Sequence, residues 1–181
     1  MGASAEAKNV EEVYDMTKEV KVLITGPFRV GKSTLIRSMT GGRAINIDRR
    51  GTTVCMDYGH VDHDGVRLHL FGTPGQERFA VIREVLATGM RILVMVIDST
   101  KPDSIAQAKK IFGQLGMNDV PCIIAANKQD CPGAMTPAEV QRVINLRVPT
   151  VGTSAISRGG AQQLLSEMYK AALKVPASLM S

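Results

Sequence analysis

Apolar residues fall along this chain in short alternating or continuous bursts, separated by longer stretches where they recur every three or four positions. Val20-Lys21-Val22-Leu23-Ile24-Thr25 is a β-branched run and predicts a strand. Residues 32–39 have helical character and stop at Thr40-Gly41-Gly42. Residues 43–52 are polar and basic without a period, which predicts a mobile loop. Residues 53–61 and 66–71 alternate as strands do, and the Asp62-His63-Asp64-Gly65 segment between them ends in a hairpin signal. A strand over 91–97, a helix over 102–115 and a strand over 120–126 follow. The next helix opens at Thr136-Pro137-Ala138-Glu139, which combines an N-cap, proline at the first helical position and glutamate at the third. A short strand over 149–153 precedes a closing helix over 160–174, with Leu164, Leu165, Met168 and Leu173 on its apolar side. This alternation predicts an α/β three-layer sandwich: a six-stranded, mostly parallel sheet wrapped by helices, with one antiparallel hairpin. Residues 1–18 read as a loose acidic extension, 19–175 as one domain and 176–181 as a short tail.

Composition narrows the function classes. The chain has 181 residues and a net charge of +5, unevenly spread. Glu6, Glu11, Glu12, Asp15 and Glu19 outnumber Lys8 and Lys18 at the start, so the remaining body is the more basic part. A basic body suits an anionic ligand, but aromatic residues for base stacking are scarce and no Arg/Lys block forms a nucleic-acid arm. The apolar run Ile92–Ile97 is far short of the ~18 residues a membrane span needs. The polar start argues against a secretory signal, Glu6 stands where a myristoylation motif wants Ser or Thr, and residues 177–181 lack a prenylation cysteine. A cytoplasmic protein without an intrinsic membrane anchor is the expectation. Cys55, Cys122 and Cys131 form no C-x-x-C pair and read as reduced thiols, and His60, His63 and His69 read as surface residues.

The chemistry begins after the first strand. Gly26-Pro27-Phe28-Arg29-Val30-Gly31-Lys32-Ser33 fits G-x-x-x-x-G-K-[ST], a loop that cradles phosphate. Its glycines let the backbone approach phosphate oxygens, and successive N–H groups through Arg29, Val30, Gly31, Lys32, Ser33 and Thr34 turn inward at a helix start. Lys32 would reach the β- and γ-phosphates, and Ser33 would offer its hydroxyl to Mg²⁺. Asn127-Lys128-Gln129-Asp130 fits N-K-x-D, which resembles the guanine-reading motif of small GTPases. Asp130 would accept from the guanine N1–H and amine, whereas adenine has no donor at N1. Asn127 would brace the loop and the Lys128 stem would cover the ring. Each motif directly follows a predicted strand, at Gly26, Gly72, Asp98, Asn127 and Ser154, where such sheets bind ligands.

Residues 20–174 as a whole resemble the Ras-like small GTPases, a P-loop NTPase fold. Thr53-Val54-Cys55-Met56-Asp57-Tyr58 looks like the Rab-type switch-I sequence T-I-G-V-D-F, and Gly75-Gln76-Glu77-Arg78-Phe79 matches the G-Q-E-R-F of switch II. Asp98-Ser99-Thr100 is similar to the fourth-strand end of Arf and Rab proteins, and Thr153-Ser154-Ala155 to the family's S-A motif. The resemblance implies a molecular switch that binds GTP or GDP and hydrolyses GTP with Mg²⁺. In that role Thr53, in competition with Thr52, would join Ser33 on the metal, and its N–H would meet the γ-phosphate. The Gly75 N–H would do the same, Gln76 would orient the attacking water, and Ser154 with the Ala155 N–H would complete the guanine pocket. Activating and exchange proteins, including roadblock/longin-type partners, are implied as well.

The resemblance breaks at one position. The family's D-x-x-G-Q reads Gly72-Thr73-Pro74-Gly75-Gln76, so the aspartate that normally serves the metal is absent. MglA-like polarity GTPases also lack it, and predicted GTPases of archaea and bacteria resemble this chain more closely still. Asp57 and Asp98 are alternative carboxylates, each read more simply as an exposed group without that role. Arg50, next to Arg49, lies at the spacing where the Gα family places a built-in arginine finger; the plainer reading is a solvated basic loop. A second function also fits, a GTP-binding adaptor or receptor-type subunit with little or no hydrolysis. A P-loop kinase is disfavoured, because N-K-x-D would go unexplained.

Overall fold

Seven strands make one sheet in the order β2-β3-β4-β1-β5-β6-β7. They are β1 (Lys18–Thr25), β2 (Ile45–Asp48), β3 (Cys55–His63), β4 (Val66–Gly72), β5 (Ile92–Asp98), β6 (Cys122–Asn127) and β7 (Thr150–Gly152). The structure is a computed structural model and describes residues 18–48, 55–116, 119–154, 156 and 158–176. β1 runs parallel to β4 and β5, and β6 runs parallel to β5 and β7. Two corrections to the sequence expectation follow. The sheet has seven strands rather than six, and two antiparallel pairings rather than one, because β2 lies against β3 in addition to the β3–β4 hairpin. The segment read as a loop contains Ile45-Asn46-Ile47-Asp48, which adds an edge strand in register with Tyr58 to Cys55. Four residues amid a basic stretch carry too short an alternation to register as a strand.

The hairpin turn is where Asp-Gly predicts it. Asp64 (φ 46°) and Gly65 (φ 70°) both occupy the left-handed region, as a tight two-residue turn requires, and His63 faces Val66 across it.

Among the described residues five α-helices cover the sheet: α1 (Lys32–Met39), α2 (Ala80–Ala87), α3 (Pro102–Leu115), α4 (Pro137–Ile144) and α5 (Arg158–Leu173). Side chains alternate across the central strands. Val22, Ile24, Ile92 and Val94 pack with Leu35 and Ile36 of α1 and Leu164 and Met168 of α5. Met95 and Ile97 face the other way, onto Ile105 of α3 and Val140 of α4, and Leu23 and Leu93 meet Ala87 of α2. Central strands buried on both faces read as continuous apolar runs, which is why β5 was conspicuous in the sequence. The capping box of α4 is formed: the Thr136 hydroxyl accepts from the Glu139 N–H and the Glu139 carboxylate accepts from the Thr136 N–H.

α2 had no clear sequence signature, and its side chains explain why. Val81 and Val85 are exposed while Arg83 is only 3 % exposed, so the usual polarity is inverted. No helix among the described residues is long and apolar enough to cross a membrane.

Candidate functional site

The chain direction reverses its lateral progress at β1, which lies between β4 and β5, and the loop after β1 opens at that switch point. Gly26 (φ 146°) begins the loop, and a Cβ there would lie 2.2 Å from the Val96 carbonyl oxygen of β5, so the backbone passes where only glycine fits. Arg29 (φ 61°) and Gly31 (φ 98°) curl the loop into the start of α1. Such a curl leaves consecutive N–H groups facing one concavity, at the positive end of the helix.

That concavity is a cavity of about 490 Å³. Among its lining residues are Arg29, Gly31, Lys32, Ser33, Thr34, Gly75 and Gln76, seven of the residues the sequence analysis selected. Lys32 is buried and its Nζ donates to the carbonyls of Gly26 (2.9 Å) and Pro27 (2.7 Å). Burial, with help from the positive charge of Arg83 and against the negative charge of Asp57, pushes the Lys32 ammonium down to about 8. A buried cation bonded only to neutral carbonyls favours an anion beside it. Gly75 lies directly over the loop: a Cβ there would come within 2.6 Å of the Pro27 oxygen and 2.7 Å of Lys32 Nζ.

Two further groups of the cavity, Asp57 and Asn46, and one residue behind it, Arg83, go beyond what the motifs alone indicate. Asp57 was read as an exposed carboxylate, but it is 7 % exposed and its Oδ2 accepts from Ser33 Oγ at 2.5 Å. Asn46, on the unanticipated β2, donates to Asp57 Oδ1 at 3.2 Å. Arg83 of α2 donates to the Gln76 carbonyl at 2.9 Å, and so braces the loop that carries Gly75 and Gln76. Its guanidinium is held below its ordinary range by burial. The position of Asp57 in a Rab-like motif was the one available signal; Asn46 and Arg83 left none.

The second motif sits behind the phosphate loop and is tied to it. Asn127 is buried; its Nδ2 donates to the Val30 carbonyl at 2.8 Å, and its Oδ1 accepts from Thr153 Oγ1 at 3.0 Å. Lys128 (φ 67°) turns sharply, and its Nζ pairs with Asp98 Oδ2 at 2.6 Å. Asp98, also read as exposed, is 2 % exposed. Burial raises its carboxyl, but hydrogen bonds from Lys128 and Thr100 outweigh that and hold it below the usual range. Asp98 therefore anchors the Lys128 side of the site rather than the Ser33 side. Gln129, the variable residue of N-K-x-D, donates to Ser99 Oγ, the Ala126 carbonyl and the Met135 carbonyl. Asp130 is exposed, with its carboxyl held down by the hydroxyl of Ser154 and by its own N–H. Arg49, Arg50, Thr52, Thr53 and Ala155 lie outside the described residues.

The oxygens gathered in the phosphate cavity suit a hard divalent cation. The Ser33 hydroxyl and the Asp57 carboxylate face each other there, and Mg²⁺ takes oxygen donors together with phosphate.

Comparison with known proteins agrees with this geometry. A family model described as the ADP-ribosylation factor family matches residues 7–172. An uncharacterised protein of Methanocaldococcus jannaschii is 30% identical over 150 residues, covering 83% of this chain and 95% of that protein. ADP-ribosylation factor-like protein 1 of Saccharomyces cerevisiae is 24% identical over 140 residues, 75% of each chain. Among solved structures, the G domain of the T. maritima FeoB iron transporter is similar with a TM-score of 0.70 and 25% identity, over 85% of this chain and 99% of that one.

Proposed function

Because the chain belongs to the ADP-ribosylation factor family and is a small GTP-binding protein with a Ras-like fold, we propose that it is a GTP-hydrolysing switch. The observation that carries this reading is the meeting of Lys32, Gly75 and Gln76 at one cavity beside the phosphate loop, two chain segments that share no helix or strand. GTP would lie with its phosphates along residues 26–34 and its base against Asn127, Lys128 and Asp130, with Ser154 and Ala155 closing the guanine pocket. Lys32 would leave its two carbonyl partners for the β- and γ-phosphate oxygens, which returns a partner to its buried charge. Gln76 would orient a water for in-line attack on the γ-phosphorus, forming one P–O bond as the bond to the β–γ bridging oxygen breaks, to give GDP and phosphate. Ser33 and Thr53 would hold Mg²⁺, which when bound neutralises charge on the phosphate oxygens. Arg50 would add charge stabilisation at the γ-phosphate from within the chain.

The γ-phosphate would engage Thr53 and Gly75 and order the segments around Thr53 and Gln76, and loss of phosphate would release them. The protein then acts through partners that read this difference: activating and exchange proteins, with roadblock/longin-type proteins as one class. We assign its working unit to residues 19–175, with 1–18 as an acidic extension and 176–181 as a tail, and place it in the cytoplasm.

A second reading, a GTP-binding adaptor without useful hydrolysis, is favoured by Gly72, which offers no carboxylate where the D-x-x-G-Q pattern has one. Phosphate release by the purified chain with GTP and Mg²⁺ separates the two. The switch reading expects slow turnover that is lost in Gln76→Leu, together with GTP binding that is retained; no release by wild type, alone or with candidate partners, would leave the adaptor.

A further inference from the structure

The family's metal-serving aspartate is missing at Gly72, yet the cavity still contains a buried carboxylate. We propose that Asp57, which faces the end of β4 from β3, supplies the carboxylate for the Mg²⁺ of this site; the proposal rests on the metal-dependent reading above. Asp57 and Gly72 are register partners across the antiparallel β3–β4 pair. The two positions therefore present side chains to the same place from adjacent strands. A Cβ built on Gly72 would lie 3.2 Å from the Cβ of Asp57 and 2.7 Å from Cδ1 of Ile36, a fully buried side chain. The space for a side chain at position 72 is thus already taken, partly by Asp57 itself.

The surroundings of Asp57 are those of a metal-serving group more than of a structural one. Among the described residues its hydrogen-bond partners are a hydroxyl, Ser33 Oγ, and an amide, Asn46 Nδ2, with no lysine or arginine. A buried carboxylate normally has a cation beside it or coordinates one. Lys32 is near enough to feel its charge but is bonded to Gly26 and Pro27 instead. Ser33 is the residue that the phosphate-loop motif assigns to Mg²⁺, and it already touches Asp57. Mg²⁺ is commonly held by one or two carboxylates plus substrate phosphates, so one carboxylate and one hydroxyl on the phosphate side meet its usual demand. Asn46, from the edge strand β2, fixes the carboxylate's second oxygen and acts as a positioning residue.

The test follows release of a fluorescent GDP analogue from the full chain as Mg²⁺ is titrated, with each variant's release in EDTA as its own reference. Wild type is expected to release more slowly as Mg²⁺ rises. Asp57→Asn, which keeps the shape but removes the charge, should need about ten- to a hundredfold more Mg²⁺ for half the effect, the loss typical of a metal-site partner. Mn²⁺ binding to the GDP-loaded protein, read by electron paramagnetic resonance, should weaken in parallel. An Asp57→Asn midpoint equal to wild type would overturn the assignment of Asp57 alone. Wild-type release indifferent to Mg²⁺ would overturn the metal-dependent switch and the assignment with it. If Asp57→Asn does not fold, Asp57→Glu decides: it keeps the charge but displaces the oxygens by a methylene, so a several-fold weaker Mg²⁺ response supports the assignment and an unchanged one overturns it.

Discussion

Lys32 carries an ammonium into a place that water barely reaches, and that single burial sets the pH behaviour of the site. Its titration near pH 8, against 10.5 ordinarily, means the unfolded chain binds this proton more tightly than the folded one. The buried charge therefore opposes folding below pH 8, and the opposition fades as pH rises from 8 towards 10.5. A phosphate beside Lys32 would favour its charged form. Nucleotide binding at about pH 8.5 is then expected to take up protons, with affinity falling as pH rises through 8; calorimetry in buffers of differing ionisation enthalpy reads the uptake directly. At the other end of the site, Asp130 is exposed and its carboxyl lies below its ordinary range, ready to accept rather than donate. Asp130→Ala should weaken GDP by about 1.5–3 kcal/mol, the worth of hydrogen bonds to a charged group, and leave any weak ADP binding unchanged in a competition assay.

The elements divide into those that announce themselves and one that does not. The box that opens α4 is local, four residues long, and legible from Thr136-Pro137-Ala138-Glu139 because its hydrogen bonds close within a single turn. Thr136→Ala should cost about 1 kcal/mol in urea unfolding, as N-cap losses do. The polarity of α2 is reversed by its surroundings: Arg83 points inward to the Gln76 carbonyl, and to Gln114 of α3 at 3.5 Å, while two valines face out. A periodic reading has no means of recognising a helix whose charged residue is its buried one. Arg83→Met removes the donor that holds the Gln76 backbone. We expect a loss of about 1–3 kcal/mol in unfolding free energy, and slower phosphate release at little cost in GDP affinity, since Arg83 braces Gln76 and not the base site.

At the scale of the whole molecule, the hydrogen bond from Asn127 to the Val30 carbonyl ties the base-reading strand to the phosphate loop. A ligand that spans both should stabilise the domain as a unit. GDP at a hundred times its Kd is expected to add about 2.7 kcal/mol, and ADP close to nothing; thermal unfolding with each nucleotide checks it, and equal shifts would remove the guanine assignment. The sequence alone determined the strand–loop–helix units, the hairpin turn and both nucleotide motifs, because each depends on backbone conformations and spacings set within a few neighbouring residues, as at Gly26 or Asp64-Gly65. It also placed every motif at a strand's carboxyl end, since strand and motif are contiguous in the chain. Only the tertiary structure decided that a seventh strand brings Asn46 to the cavity, that Asp98 serves Lys128, and that Asp57 faces both Gly72 and Ser33. Those relations join residues on separate elements through strand register and burial, and neither quantity is written in any local run of side chains.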